Sequence, residues 1–389
     1  MPRSVRAHPN LCLKPPLGAM SVDEFLQHTW QQRPLLVRQA LPAIAPPLSP
    51  EALLDLAGDD TVQSRLVSAF GGRWRLAHGP FDAGELPALS RKRWTVLVQG
   101  VNLHNDAAHG LMSRFRFIPD ARLDDLMISL ASDQGGVGPH LDSYDVFLIQ
   151  LWGRRRWQIA PPGRDALRAG LPLKILSDFQ PTASWVLEPG DMLYLPPGWA
   201  HDGVAEGACM TASVGFRAPS RLEFLREFLA DAADDPGGAD PRFCDPKRRR
   251  SREQAAVPAD LHATLRQWAS GWRPSRLAID RFIGRFLTEP AAQVFFDGVD
   301  YAGFAAFKRS AQRSGLRLDR RTRMVYRSHL FFINGEVSPL PPGASPKLLR
   351  RLANARGLTP QQSAELLKDR AISAQVFDWA QAGWLHPAG

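Results

Sequence analysis

The chain has 389 residues, 44% hydrophobic and 22% charged, with a formal net charge of +9, which is too apolar for disorder and long enough for two or three packed units. Its 31 glycines and 33 prolines favour short strands joined by turns and exclude a coiled coil. Three scattered cysteines, Cys12, Cys209 and Cys244, exclude a disulfide framework or a thiolate zinc site; with neither an apolar leader nor a membrane-length apolar run, a cytoplasmic protein without a membrane partner is expected.

In chain order, residues 21–60 predict two helices. Ser21 with Asp23 and Glu24 opens the first, and Ser49-Pro50-Glu51 opens the second, because serine caps free amides and proline is tolerated in a first turn. Pro34-Leu35-Leu36-Val37 between them is a short strand candidate. From Arg65 to about Phe216 the pattern changes to apolar or alternating runs separated by Gly, Pro and Asp. These runs are Trp94 to Val98, Leu126 to Leu130, Val146 to Trp152, Arg156 to Ile159, Trp185 to Leu187, Met192 to Leu195 and Met210 to Phe216. Short strands without intervening amphipathic helices predict a β-sandwich or jelly roll.

After Pro219 the periodicity is helical, through Leu222, Leu225 and Leu229 and later Leu261, Leu265 and Trp268. Between them Asp231 to Glu253 reads as a polar loop, with Pro236-Gly237-Gly238 and Lys247-Arg248-Arg249-Arg250. From about Ala291 a helix, a strand pair (Met324 to Tyr326 and Leu330 to Ile333, before Asn334-Gly335) and two further helices resemble a winged-helix unit.

The charge excess is local. Residues 1–219 hold 21 Lys+Arg and 21 Asp+Glu, whereas residues 220–389 hold 27 and 18. From Lys308 to Arg327 eight cations face a single anion, Asp319. Such a run is ordinarily a solvated face; the alternative is contact with a phosphate-rich partner. Arg309, Arg313 and Arg317 recur at helical spacing and predict one basic face, which Gly315 weakens.

Two His-x-Asp triplets occur. His104-Asn105-Asp106 lies in a turn-like stretch and reads as accidental. His140-Leu141-Asp142 follows the turn-rich Gly135-Gly136-Val137-Gly138-Pro139 and opens an apolar run, so both side chains point to one face of a strand. His201, after a strand and the tight turn Pro196-Pro197-Gly198, supplies a third ligand. Two imidazoles and one carboxylate match the facial triad of non-haem Fe(II) oxygenases, with positions left open for co-substrate and dioxygen. A zinc hydrolase is the weaker reading, and ordinary core or surface histidines the blander one.

An oxygenase of this kind commonly takes a 2-oxo acid whose far carboxylate needs a fixed cation. In Gly153-Arg154-Arg155-Arg156-Trp157-Gln158-Ile159, strand parity puts Arg155 inward with Trp157 and Ile159, and a guanidinium binds carboxylate bidentately. Thr211 and Ser213 share parity on a later strand and could add a hydroxyl, or be ordinary surface hydroxyls.

Gly136 to Phe147, Gly153 to Trp157, Leu195 to His201 and Ser213 to Arg217 together resemble the bacterial ribosomal oxygenases of the Jumonji-C class. The likeness is greatest to the branch that hydroxylates an arginine of large-subunit ribosomal protein sixteen, and it extends upstream through Arg33-Pro34-Leu35, Ser64 to Ser68 and Asp124 to Ser129. It implies an α+β chain: a double-stranded β-helix (jelly roll, cupin) with flanking helices over 1–219, a helical dimerisation segment over 220–290 and a winged-helix domain over 291–389. It implies His140, Asp142 and His201 as Fe(II) ligands and Arg155 as the 2-oxoglutarate anchor, with hydroxylation of an arginine β-carbon coupled to formation of succinate and carbon dioxide. Tyr144 and Asp133, close in sequence to the metal motif, are the candidates to meet the substrate. The implied partners are a ribosomal protein substrate and a second copy of the chain, with rRNA contact through the basic C-terminal part. The competing readings are a nucleic-acid-binding regulator with a cupin ligand sensor, and the same chemistry on a histidine or a small molecule. An intact triad together with Arg155 favours the enzyme.

Overall fold

Ser21 and Ser49 each accept a hydrogen bond from the amide three residues on, at 3.1 and 3.2 Å, which starts α1 (Val22–His28) and α2 (Pro50–Ala57) on either side of β1 (Leu35–Val37). The computed structural model describes residues 14–82, 84–234, 242–246, 257–341 and 344–388. Cys12, Pro236-Gly237-Gly238 and Lys247 to Arg250 lie outside the described residues.

Next come β2 (Ser64–Phe70), β3 (Arg73–His78), β4 (Trp94–Val98), the short helices α3 (Val101–His104) and α4 (Asp106–Ser113), and β5 (Leu123–Ala131). They are followed by β6 (His140–Leu141), β7 (Val146–Ala160), β8 (Ala183–Leu187), β9 (Met192–Leu195) and β10 (Ala200–Phe216). Two of the predicted runs, Val146 to Trp152 and Arg156 to Ile159, form one strand, because Gly153 adopts φ +65° and lets the backbone bend without leaving the sheet. Helices α3 and α4 were invisible to periodicity because they span only four and eight residues.

All ten strands join one sheet in the order β1-β9-β7-β10-β5-β4-β2-β3, with β6 on β10 and β8 on β7. It is a jelly roll, as the alternating short strands predict. Alternate residues of β7 go to different cores: Phe147 and Ile149 join Phe25, Phe115 and Tyr194 outside the roll, while Val146 and Leu148 join Trp157, Ile159, Leu193 and Leu195 inside it. Burial on both faces explains why this strand reads as continuously apolar; each large side chain so buried contributes about 2 kcal/mol.

The chain continues through α5 (Arg221–Asp234), α6 (Ala259–Gly271) and α7 (Arg276–Thr288), so the first four residues of the expected polar loop are helical. Phe224 and Phe228 of α5 meet Phe282 and Phe286 of α7, whereas α6 buries no residue. The C-terminal unit contains α8 (Phe304–Ser314), β11 (Leu316–Leu318), β12 (Met324–Arg327), β13 (Leu330–Ile333), β14 (Glu336–Pro339), α9 (Lys347–Ala355), β15 (Gly357–Leu358), α10 (Pro360–Leu366), α11 (Arg370–Gln381) and β16 (Leu385–Pro387). Its strands form the sheets β15-β11-β16 and β12-β13-β14. The expected hairpin thus gains a third strand after Asn334-Gly335, and three helices follow rather than two. Helix α7 is tied to this sheet, with Thr288 Oγ1 accepting from the Gly335 amide at 3.1 Å.

The basic segment differs from expectation. Helix α8 ends at Ser314, and Gly315 at φ +89° turns the chain into β11, so Arg317 lies on a strand rather than on the helical face of Arg309 and Arg313. All three are exposed. Arg320, Arg321 and Arg323 are instead engaged by Asp106, Asp319 and Asp124.

Candidate active site

Strand register creates the metal-ligand geometry. His140 on β6 stands directly opposite His201 on β10, a pairing that brings two side chains onto one face within about 5 Å, and Asp142 follows His140 with the same parity. The two imidazole centroids are 4.2 Å apart, and His201 Nε2 lies 3.6 Å from Asp142 Oδ2. One ligand atom from each residue falls within 4.8 Å of the others, the one such His/Cys/Asp/Glu group found among the described residues.

The tautomers are set by the backbone. His140 Nδ1 is 2.9 Å from the Gly138 carbonyl and His201 Nδ1 is 3.1 Å from the Trp199 carbonyl. A carbonyl only accepts, so each Nδ1 carries the proton and each Nε2 presents a lone pair to the shared space. Burial, and then the neighbouring His140, push the His201 imidazole below its usual range. Two imidazoles with Nε2 turned to the shared space and one carboxylate are the donor set a divalent iron takes, so the residues present fit the metal.

Arg155 is 4% exposed. It donates through Nη1 to Ser129 Oγ at 3.0 Å and to Thr211 Oγ1 at 3.3 Å, and Thr211 in turn donates to Gln150 at 3.0 Å. Its neighbours in sequence, Arg154 and Arg156, point outward to Glu206. The guanidinium also lies over the Trp157 ring, 5.4 Å from its centroid, and that ring lies 5.9 Å from the His201 ring. Arg155 Nε and Trp157 Nε1 are buried without a hydrogen-bond partner. Unused N–H groups on a buried cation beside the ligand group fit an acceptor-rich carboxylate, as a 2-oxo acid would supply.

Ser129 was missed by sequence reasoning because it lies on β5 and reaches Arg155 only through the pairing Ser129 with Thr211. Ser213, on the same face of β10 as Thr211, is 9% exposed and has no side-chain hydrogen bond among the described residues. Beyond it, open backbone at Gly215 looks onto Asp125 Oδ1 and Tyr144 Cε2, which are 3.6 and 3.9 Å from where a Cβ would stand. Asp125 shares parity with Ser129, four residues or about 13 Å nearer the end of the strand. Burial and adjacent Asp124 raise its carboxyl to about 6. Burial of the Tyr144 phenol oxygen, with Asp142 and Asp125 nearby, pushes that group up as well.

Tyr144 therefore joins the triad to Asp125. Asp133 does not approach this group: its carboxylate is 2.8 Å from Lys92 Nζ and accepts from the Gly207 amide at 2.9 Å, a surface tie at the far end of β5. Closeness in sequence to His140 misled because the chain between them turns out of the strand. Likewise His104 and Asp106 are separated by the cap of α4, with Asp106 paired to Arg320.

The JmjC domain family model matches residues 110–224, and the ROXA-like winged helix model matches residues 273–386. The ribosomal protein uL16 3-hydroxylase of Escherichia coli K12 is 43% identical over 206 residues, 53% of this chain and 55% of that protein. The chain spans about half the length of the curated relatives it matches. Among solved structures, an X-ray structure of E. coli YcfD superposes with a TM-score of 0.82 at 30% identity, over 94% of this chain and 98% of that one. YcfD described as a ribosomal oxygenase in complex with cobalt and 2-oxoglutarate gives 0.78 at 31% identity over the same shares. Among the described residues no helix is long and apolar enough to cross a membrane. Similarity held across nearly the whole of YcfD, with a JmjC roll and a ROXA-like winged helix in one chain, places this protein in the JmjC-domain ribosomal oxygenase family.

Proposed function

We propose that this protein is an Fe(II)- and 2-oxoglutarate-dependent dioxygenase that hydroxylates the β-carbon of an arginine in ribosomal protein uL16. The observation carrying this reading is the convergence of His140, Asp142 and His201, with both imidazole lone pairs directed inward, beside a buried Arg155 that has donors to spare. When bound by these three residues, iron would supply the activation of dioxygen that 2-oxoglutarate oxidation requires. Arg155, with Ser129 and Thr211, holds the distal carboxylate of 2-oxoglutarate, and Ser213 lines the wall beside it. Packed Val146, Leu148, Trp157 and Ile159 keep water from the inner end of the pocket.

Asp125 and Tyr144 form the receptor for the substrate guanidinium. Carboxylate and aromatic ring are the two groups that bind this cation, and Tyr144 contacts Asp142, so an arginine anchored there carries its β-carbon toward the ligand group. The test is incubation of purified full-length protein with Fe(II), 2-oxoglutarate and a uL16 peptide. The expected result is a mass gain of one oxygen on one arginine, matched by succinate, and loss of both in His201→Ala. Succinate formation without peptide oxidation on uL16, but with oxidation of a histidine peptide, would favour the alternative substrate.

The protein acts as a homodimer in the cytoplasm. Leu222, Leu225, Leu229, Leu265, Trp268 and Trp272 are exposed on α5, α6 and the turn that follows, more apolar surface than an isolated helical segment ordinarily leaves to water. Arg309 and Arg313 on α8 and Arg317 on β11 are exposed and without an ion pair among the described residues, and we propose them as the cations that meet rRNA phosphate.

A further inference from the structure

Asp125 depends on two backbone segments. Its Oδ2 accepts from the Gly100 amide at 3.0 Å, at the start of α3, and the next residue, Leu126, donates its amide to Asn102 Oδ1 at 2.8 Å. Its other support is the start of strand β5, where Asp124 immediately precedes it.

Both segments are gripped from the winged-helix side. Arg320 donates through Nε to the Leu103 carbonyl and through Nη1 to Asp106, each at 2.7 Å, and so holds the end of α3 and the start of α4. Arg323 donates through Nη2 to the Asp124 carbonyl at 2.9 Å and lies 3.5 Å from the Asp124 carboxylate, which Arg217 also meets at 3.2 Å. The loop bearing these arginines is itself fixed: the Arg323 amide donates to Asn334 Oδ1 at 2.9 Å, Thr322 to the Trp384 carbonyl at 2.7 Å, and Arg356 to the Thr322 carbonyl at 3.0 Å.

Between the roll and the winged helix lies a cavity of about 370 Å³, with Gly100, Asp124 and Asp125 on one wall and Arg320, Arg321 and Arg323 on the other. Beside the apolar Leu103, Val294 and Phe295 of its lining, the guanidinium groups of Arg320 and Arg323 make direct hydrogen bonds to the roll. Burial, and then the charge of Arg217, lower Arg323 to about 10, so this cation is held in a poorly solvated position where its field reaches Asp125.

We infer that Arg320 and Arg323 are positioning residues, through which the winged-helix unit fixes the orientation and charge of the carboxylate that receives the substrate arginine. The inference rests on the reading of Asp125 as that receptor. It gives the winged helix a part in substrate recognition without any nucleic acid.

The test uses full-length Arg323→Met, Arg320→Met, Asp125→Asn and the double variant Arg323→Met with Asp125→Asn. Peptide affinity is read by calorimetric titration with an arginine-bearing uL16 peptide, and KM and kcat for peptide and for 2-oxoglutarate are read across pH. Either arginine variant is expected to weaken peptide binding on the order of tenfold, leaving the KM for 2-oxoglutarate and peptide-independent succinate release unchanged. In Arg323→Met the acid limb of kcat/KM for the peptide should move to higher pH, because Asp125 keeps burial, Asp124 and Tyr144 about it but loses one of the two cations, Arg323 and Arg65, that favour its charged form. In the Asp125→Asn background Arg323→Met should have no further effect on peptide affinity. Additive losses, or equal losses for peptide and 2-oxoglutarate, would overturn the inference while leaving the receptor reading intact. Wild-type peptide affinity in Asp125→Asn would instead remove the receptor reading, and this inference with it. Should Arg323→Met fail to fold, Arg323→Lys carries the test: it keeps the charge and loses the fork, so affinity should fall while the acid limb stays in place, and a wild-type affinity would count against the inference.

Discussion

His140 and His201 are oriented by the same device, each turning Nδ1 to the backbone carbonyl two residues upstream, at 2.9 and 3.1 Å. One carbonyl belongs to a glycine-rich turn and the other to the turn after Pro196-Pro197-Gly198, so the two loops that punctuate the sequence also fix the two tautomers. A ligand pair built this way needs no rearrangement to present its lone pairs.

Arg155→Ala should raise the KM for 2-oxoglutarate by ten- to a hundredfold, the loss of a charge-assisted pair of about 1.5–3 kcal/mol, while metal affinity measured by titration stays at the wild-type level. Ser129→Ala should raise it only a few-fold, because Ser129 orients Arg155 and leaves its charge in place. A fall in metal affinity in Arg155→Ala would show that its role is to support the triad.

The contrast between these two residues shows how far the sequence carried. Arg155 was legible because strand parity ties it to Trp157 and Ile159, and the triad because each ligand follows a turn signal. Ser129 and Asp125 were not legible. They come to the site through the register of β5 against β10, a non-local pairing that no window of sequence contains. The basic run was legible as charge but not as structure: Arg320 and Arg323 meet Asp106 and Asp124, which lie beyond any local pattern, and Gly315 diverts Arg317 from the helix.

The pH dependence of arginine recognition follows from Asp125. Its carboxyl is raised to about 6, and only the ionised form attracts a guanidinium, so kcat/KM for an arginine peptide should fall as pH drops through about 6. The same shift predicts a stability cost. A carboxyl whose folded value exceeds its unfolded value binds protons more tightly when folded, so its contribution to stability is lost as pH rises from about 4 to about 6. Asp125→Asn should therefore be more stable than the wild type at pH 8, by about 3 kcal/mol, and the gain should vanish near pH 4. Thermal melts at the two pH values read this directly.

The exposed apolar residues of α5 and α6 predict self-association. Leu225→Glu with Trp268→Glu should convert a dimer to a monomer in light scattering, because each change buries an unpaired charge in the interface. A wild-type protein already monomeric at micromolar concentration would refute this assignment.

Replacing Arg309, Arg313 and Arg317 by glutamate should weaken association with ribosomal particles in a salt-dependent way while leaving hydroxylation of a short uL16 peptide unchanged. Equal loss on particle and peptide, or no loss on either, would return these residues to a solvated face.

The most direct test of the account is mass spectrometry of uL16 from cells that carry the gene, cells that lack it, and cells complemented with the wild type or with His201→Ala. The account predicts one added oxygen on the β-carbon of a single arginine in the first and in the wild-type complement, and none in the deletion or the His201→Ala complement. An unmodified uL16 in the parent cells, or the same modification in the deletion, would contradict it.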